Sequence, residues 1–340
     1  MKAIYVKGKE QFLLEEVPLR ELEPDEVLVR VNACGFCGSE IRIAKEASDY
    51  TAIGHEVAGT VASVGNGVTH VKAGDRVVLE SGSYDRFSDL SRDGKMDLDN
   101  TGRHFWHKKH PEESMGFAEY VIAPEEVCVA YQDMSLEAAC MIEPMGVAYD
   151  VIKVADIALG DSVMVVGIGA IGLMALRLAK LRGASRIYAV NTSGRDARDR
   201  IAKEWGADVV LHNDVDDISA YPYEKGGVDK ILFTTPPYIM PDFVDIMNIA
   251  GVMVFIGGAS GKAGQATFEM GKVHLKKMQI RASYAAPALF FPACIDLYHR
   301  GLIDLDALHT HNLRLEHFAE DYHAFMDDRS NAIKAILYND

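Results

Sequence analysis

The stretch Ser162-Val163-Met164-Val165-Val166-Gly167-Ile168-Gly169-Ala170-Ile171-Gly172-Leu173-Met174-Ala175-Leu176 decides how this chain folds. The short apolar run predicts a buried strand, and the residues from Leu173 to Lys180 predict an apolar helix. Three glycines lie between them. Gly167 makes the tight turn, Gly169 lets the backbone approach a pyrophosphate, and Gly172 allows the helix to pack closely on the strand. The N–H groups at Ala170 and Ile171 open the helix and present its positive dipole end to phosphates. A second strand at Ile187–Val190 closes the unit within about 30 residues. A glycine triplet by itself fits any tight strand–helix turn. The strand, the helix and the second strand at this spacing make it a dinucleotide site.

Reading outward, β and α segments alternate. Candidate strands are Val163–Val166, Ile187–Val190, Val209–Leu211, Lys230–Thr234, Val252–Ile256 and Gln279–Ser283, with helical stretches between most of them. This alternation implies an open, mostly parallel six-stranded sheet covered on both faces, an α/β architecture. Upstream, the first ~130 residues read as short strands. Val27, Val29 and Val31 alternate with Leu28 and Arg30, Glu56 to Val64 is β-rich, and Phe117 to Ala123 resumes the pattern. Ser135 is a candidate N-cap for a helix reaching about Ala155. The tail from about Pro287 carries one or two helices and a last strand near Ala335–Tyr338, and it is expected to pack back on the first domain. The predicted division is therefore 1–150, completed by 285–340, and 151–284.

Composition bounds the partners. The chain has 340 residues, 49% apolar and 25% charged, the balance of a soluble globular protein of two domains. Its 35 basic against 50 acidic residues give a net charge of −15, which argues against nucleic acid or an anionic membrane as partner. No apolar run is long enough for a membrane span, and Met1-Lys2-Ala3-Ile4-Tyr5 lacks a signal core. The five thinly spread cysteines suit a reduced, cytoplasmic protein.

The end of the second strand bears on the cofactor. An acidic residue there would hold the ribose hydroxyls of NAD. The position falls on neutral Asn191, followed by Thr192, Ser193, Gly194 and Arg195, with Arg198 nearby. Small hydroxyls and a guanidinium suit a 2′-phosphate, so the residues lean to NADP(H) over NAD(H). The alternative leaves both arginines solvated and gives the ribose to Asp196. Thr234, Thr235 and Gly257-Gly258 lie at strand ends and are expected to make minor cofactor contacts.

Two motifs in the first domain carry the metal chemistry, Gly35-Phe36-Cys37-Gly38-Ser39-Glu40 and Gly54-His55-Glu56. A thiolate and an imidazole suit zinc, and a catalytic zinc keeps one position open. The third protein ligand is either Glu143, in Met141-Ile142-Glu143-Pro144, or Glu56.

With these motifs, Gly-Asp-Arg-Val at 74–77 and the glycine turn, the whole chain resembles the zinc-containing medium-chain dehydrogenase/reductase family of alcohol and sorbitol dehydrogenases. The resemblance implies a GroES-like, mainly β catalytic domain and a Rossmann domain with a doubly wound parallel sheet. It implies one catalytic Zn2+ on Cys37 and His55, completed by Glu143 or Glu56 directly or through water. It also implies that Ser39 passes the substrate proton outward while hydride moves to the nicotinamide. The expected reaction interconverts a secondary alcohol and a ketone, and Glu143-Pro144 points to a polyol, cyclitol or sugar derivative. Homodimers or homotetramers are expected, joined at the sheet edge within Val252–Tyr284.

The departures are informative. Segment 81–115 has no cysteine, so a second, structural zinc is not expected; His104, His107 and His110 stand there at i, i+3, i+6 spacing and read as a surface cluster, with a second metal site as the alternative. Glu40 replaces a common Asp and is expected to orient His55. Arg42 stands where relatives often have a histidine and cannot accept a proton at working pH. It is read either as an anion contact or as a solvated helix arginine. Cys34, Cys128, Cys140 and Cys294 read as packed side chains. Two other functions compete: a zinc-free quinone or enoyl reductase, and an NADP(H)-binding redox sensor without turnover.

Overall fold

A computed structural model describes residues 1–82, 84–99, 114–284 and 288–339. The chain divides into two compact units, one of 1–146, 285–328 and 334–340, the other of 147–284 and 329–333. The division thus falls after Gly146 rather than after residue 150. The tail is also shared, because residues 329–333 belong to the second unit.

In the first unit, one long strand organises the sheet. Glu26–Gly35 alternates Val27, Val29, Val31 and Ala33 into the core. On one side it pairs antiparallel with Glu56–Val64. On the other, its first half pairs with Tyr120–Pro124 and its last residues pair with Lys334–Tyr338. Arg76–Leu79 and Cys128–Ala130 extend the sheet beyond Glu56–Val64, and His309–Leu313 flanks the C-terminal strand in parallel. A separate three-stranded sheet joins Gln11–Glu16, Lys2–Lys7 and Thr51–Ala52. The register sets Gly35 opposite both Glu56 and Ile336. The end of the first strand and the starts of the other two therefore meet at one edge of the sheet.

The Ser135 hydroxyl caps the helix Leu136–Cys140 by accepting from Ala138 N–H at 3.0 Å, and Ile142–Ala155 follows. The predicted continuous helix is thus two, separated at Met141. Cys34, Cys128, Cys140 and Cys294 are all buried with free thiols, as packed side chains should be.

The second unit holds a six-stranded parallel sheet. Its order is Val209–His212, Arg186–Asn191, Ser162–Val166, Val228–Phe233, Met247–Phe255 and Gln279–Ala282. Alternate residues Met164, Val166, Tyr188, Val190, Ile231 and Phe233 form one buried cluster. Their neighbours Val163, Val165, Ile187, Ala189 and Leu232 are equally buried, so the sheet is covered on both faces. The crossovers are uneven. Ala170–Arg182 and Asp196–Glu204 are full helices. The next crossover is made of turns, the one after it of the short 3₁₀ segment Pro237–Phe243, with Pro236, Pro237 and Pro241 preventing a regular helix, and the last holds the short helix Met270–Leu275, so helices lie between most of the strands as expected. No helix among the described residues is long and apolar enough to cross a membrane.

Candidate functional site

Cys37 ends the loop after Glu26–Gly35 and caps the helix Gly38–Glu46, while His55 and Glu56 open the strand Glu56–Val64. One ligand atom from each of Cys37, His55 and Glu56 lies within 4.8 Å of the other two. Donors held by one zinc at about 2.0–2.3 Å must lie this close together. Sulfur, imidazole nitrogen and carboxylate oxygen suit that ion.

Glu40 ties the two loops together. Its Oε2 accepts from Cys37 N–H at 2.9 Å, and its Oε1 accepts from Gly54 N–H at 2.6 Å and lies 3.2 Å from His55 Nδ1. Gly54 is required where it stands: its φ is +100°, and a Cβ would collide with Phe117 N. Ser39, on the same helix as Glu40, keeps its hydroxyl buried without a hydrogen-bond partner among the described residues. Arg42 is exposed on that helix. His104, His107 and His110 lie outside the described residues.

In the second unit, Gly167 has φ +90°. A Cβ on Gly172 would collide with the Gly167 carbonyl, so helix and turn pack as closely as the sequence requires. Space beside Gly169 is open apart from Arg198 Nη1, 3.9 Å from where a Cβ would sit. The helix beginning at Ala170 and Ile171 has no side-chain cap, leaving its first N–H groups available to an anion. Thr234 supports the turn through a hydroxyl bond to the Gly167 carbonyl, and Thr235 Oγ1 is buried without a partner among the described residues. Gly257 is needed where the chain passes the Thr235 carbonyl.

The chain matches the family described as Alcohol dehydrogenase GroES-like domain over residues 23–133 and that described as Zinc-binding dehydrogenase over residues 170–299. The chain belongs to the zinc-containing medium-chain alcohol and sorbitol dehydrogenases. It is 28% identical to (R,R)-butanediol dehydrogenase of Bacillus subtilis (strain 168) over 99% of both chains. It is 27% identical to sorbitol dehydrogenase of Gallus gallus, over 98% of this chain and 95% of that one. A solved structure from E. coli CFT073, described as a short chain alcohol dehydrogenase complexed with cofactor NADH, superposes with a TM-score of 0.89 at 26% identity. That match covers 100% of this chain and 99% of the other. The chain is therefore an enzyme, an NAD(P)-dependent zinc oxidoreductase of alcohols and polyols.

Sequence reasoning missed two carboxylate contacts of this dehydrogenase. Glu56 is fully buried, and Lys334 Nζ meets its two oxygens at 2.7 and 2.6 Å while also donating to the Phe36 carbonyl. Burial alone would push the Lys334 ammonium toward neutrality; the Glu56 carboxylate outweighs it and raises the pKa. Glu80 is also buried, facing Glu143 across Ser81, whose hydroxyl bonds both. Burial and then the mutual repulsion with Glu143 raise the Glu80 carboxyl well above its ordinary range. Burial pushes Glu143 up to about 7, against the attraction of His55. Glu143 thus stands near His55 but outside the three-residue cluster.

At the end of Arg186–Asn191, Asn191 Nδ2 donates to Asp199 Oδ1 at 3.0 Å. The Ser193 N–H and hydroxyl both donate to Asp214, and the Thr192 hydroxyl meets Asn213 Oδ1 at 3.4 Å. The Asp196 carboxylate accepts from the Ser330 hydroxyl. Among the described residues, Arg195 and Arg198 bond backbone carbonyls alone, those of Arg329 and Ala332.

Proposed function

We propose that this dehydrogenase interconverts a secondary alcohol of a polyol, cyclitol or sugar derivative and its ketone, using NADP(H) in preference to NAD(H). The observation that carries the reading is the convergence of Cys37, His55 and Glu56 in a chain that also bears a glycine turn open to a pyrophosphate. Relatives named for butanediol and sorbitol support the polyol class. Arg195 and Arg198, with no carboxylate partner among the described residues, support the choice of NADP(H).

Cys37, His55 and Glu56 would hold a single catalytic zinc, with Glu143 beside them to join directly or through water. The ion, when bound, supplies Lewis-acid polarisation of the substrate oxygen. The nucleotide supplies the hydride chemistry. The rest belongs to the protein's own residues. Glu40 fixes the orientation of His55. The Ser39 Oγ would accept the substrate hydroxyl proton as its own hydroxyl proton passes on toward water; its lack of a partner among the described residues leaves it available for this. Gly167, Gly169, Ala170, Ile171 and Gly172 cradle the pyrophosphate. Asn191, Thr192, Ser193 and Arg195 face the adenosine ribose, and Thr234 and Gly257 shape the floor beneath.

The test is Cys37→Ser. Zinc content and turnover on a polyol panel should fall together, while NADPH affinity stays within about twofold of wild type. Retained turnover without zinc would falsify the mechanism and favour a zinc-free reductase. Full zinc with no turnover on any alcohol or ketone would favour a sensor.

We further propose that two copies associate through the edge strand Gln279–Ala282, which among the described residues is paired on one side only. Ile280, Tyr284 and Leu275 lie exposed in its neighbourhood, a set of apolar side chains that a second copy would cover.

A further inference from the structure

The C-terminal segment 329–333 belongs to the nucleotide-binding unit, and its backbone holds two arginines in place. Arg195 Nη1 donates to the Arg329 carbonyl at 3.3 Å, and Arg198 Nε donates to the Ala332 carbonyl at 3.0 Å. The segment is itself secured by Ala197 N–H donating to the Ser330 carbonyl, and by the Ser330 hydroxyl on Asp196. Arg198 Nη1 stands beside Gly169 of the glycine turn, Arg195 acts on Arg198 through its charge, and Arg329 acts in the same way on Arg195, so the three form one basic group reaching from the turn. Among the described residues none of the three has a carboxylate partner. Asp196 and Asp199, the acids of the first helical turn, are engaged with Ser330 and with Asn191 and His212. Asp214 is engaged with Ser193.

Uncompensated like charges repel, so a protein does not gather them without cost. Burial and then the neighbouring Arg195 charge push Arg198 down to about 10, and burial and then Arg329 lower Arg195. A bound dianion would relieve both effects, and guanidinium forks match a phosphate monoester in geometry as well as charge.

We propose that Arg329, together with Arg195 and Arg198, recognises the 2′-phosphate of NADP(H), making this exposed C-terminal residue a determinant of cofactor choice. The inference rests on the NADP(H) reading above and adds a residue outside the strand–turn–helix unit.

The experiment compares NADPH and NADH binding to the intact protein by nucleotide fluorescence, for wild type, Arg329→Ala and Arg329→Lys. Neither substitution removes the backbone carbonyl that holds Arg195, and the side chain is exposed, so both variants should fold. Arg329→Ala should weaken NADPH by about tenfold or more and leave NADH within about twofold, and Arg329→Lys should fall between. Equal effects on both nucleotides, or none on NADPH, would overturn the role of Arg329 while leaving the cofactor reading intact. A wild type that binds NADH more tightly would overturn the cofactor reading, and this inference with it.

Discussion

Glu125 holds together a part of the catalytic unit remote from the metal cluster. It is buried, and its carboxylate accepts from Thr69 N–H at 3.0 Å, from His70 N–H at 3.3 Å and from Arg86 at 3.4 Å. Burial alone would raise its pKa; the two backbone donors and then Arg86 outweigh this and leave it lowered. An unfolded glutamate titrates near 4.3. The folded form therefore binds its proton less readily than the unfolded form. The resulting stabilisation is fully present above the unfolded value and is lost as pH falls through the lowered folded value. Glu125→Gln should destabilise the protein by about 1 kcal/mol at neutral pH. The difference from wild type should shrink below about pH 4. Urea unfolding at several pH values measures both, and a pH-independent difference would mean that the carboxylate charge plays no part.

The strand Lys334–Tyr338 joins the two ends of the sequence: Lys334 reaches Glu56 across 278 positions. The pair sits where neither charge meets water, with Glu56 fully buried. Removing one partner leaves a buried charge uncompensated, a loss of about 3–5 kcal/mol. Lys334→Met should therefore lower the melting temperature of the metal-stripped protein by several degrees, and adding Glu56→Gln should recover most of it. An unchanged melting temperature for Lys334→Met would show that Glu56 has another source of compensation. This pair also shows where sequence reading stops. The central strands of the nucleotide unit were legible because burial on both faces makes each a short apolar run, as at Val163–Val166 and Ile231–Phe233. The glycine turn, Cys37 and His55 were legible because their spacing is local. Lys334 was not, because a lysine near a chain end looks the same whether it is solvated or held by a residue hundreds of positions away. The two crossovers without an α-helix, those leading into Val228–Phe233 and Met247–Phe255, could not be told in advance from the others because turns and 3₁₀ segments carry no 3.6-residue period. The choice between Glu56 and Glu143 stayed open in the sequence because both lie next to plausible ligand motifs. The two differ only in how close their oxygens come to Cys37 and His55.

At the scale of the whole molecule, the nucleotide-binding sheet ends on one side in Gln279–Ala282, a strand that among the described residues pairs with Met247–Phe255 alone. Such an edge templates pairing unless it is short, charged or covered. Gln279–Ala282 is short and carries Arg281, but the Arg281 guanidinium is turned back onto the Val154 carbonyl and Gln279 rather than guarding the edge. Ile280 is 39% exposed, Leu275 78% and Tyr284 77%, so the apolar side chains outweigh the charge that would deter a partner. Two copies meeting through this strand would make a two-fold contact, in which each residue near the axis occurs twice. A carboxylate at position 280 would then set two like charges against each other in a desolvated seam. Ile280→Asp should convert the protein from a dimer or larger assembly to the mass of one chain in sedimentation velocity, with NADPH binding retained because the glycine turn follows Ser162–Val166, which two strands separate from Gln279–Ala282 in the sheet. A wild-type protein that already sediments as one chain would remove the edge strand as an interface, and an Ile280→Asp protein that still sediments as a dimer would move the interface to another face.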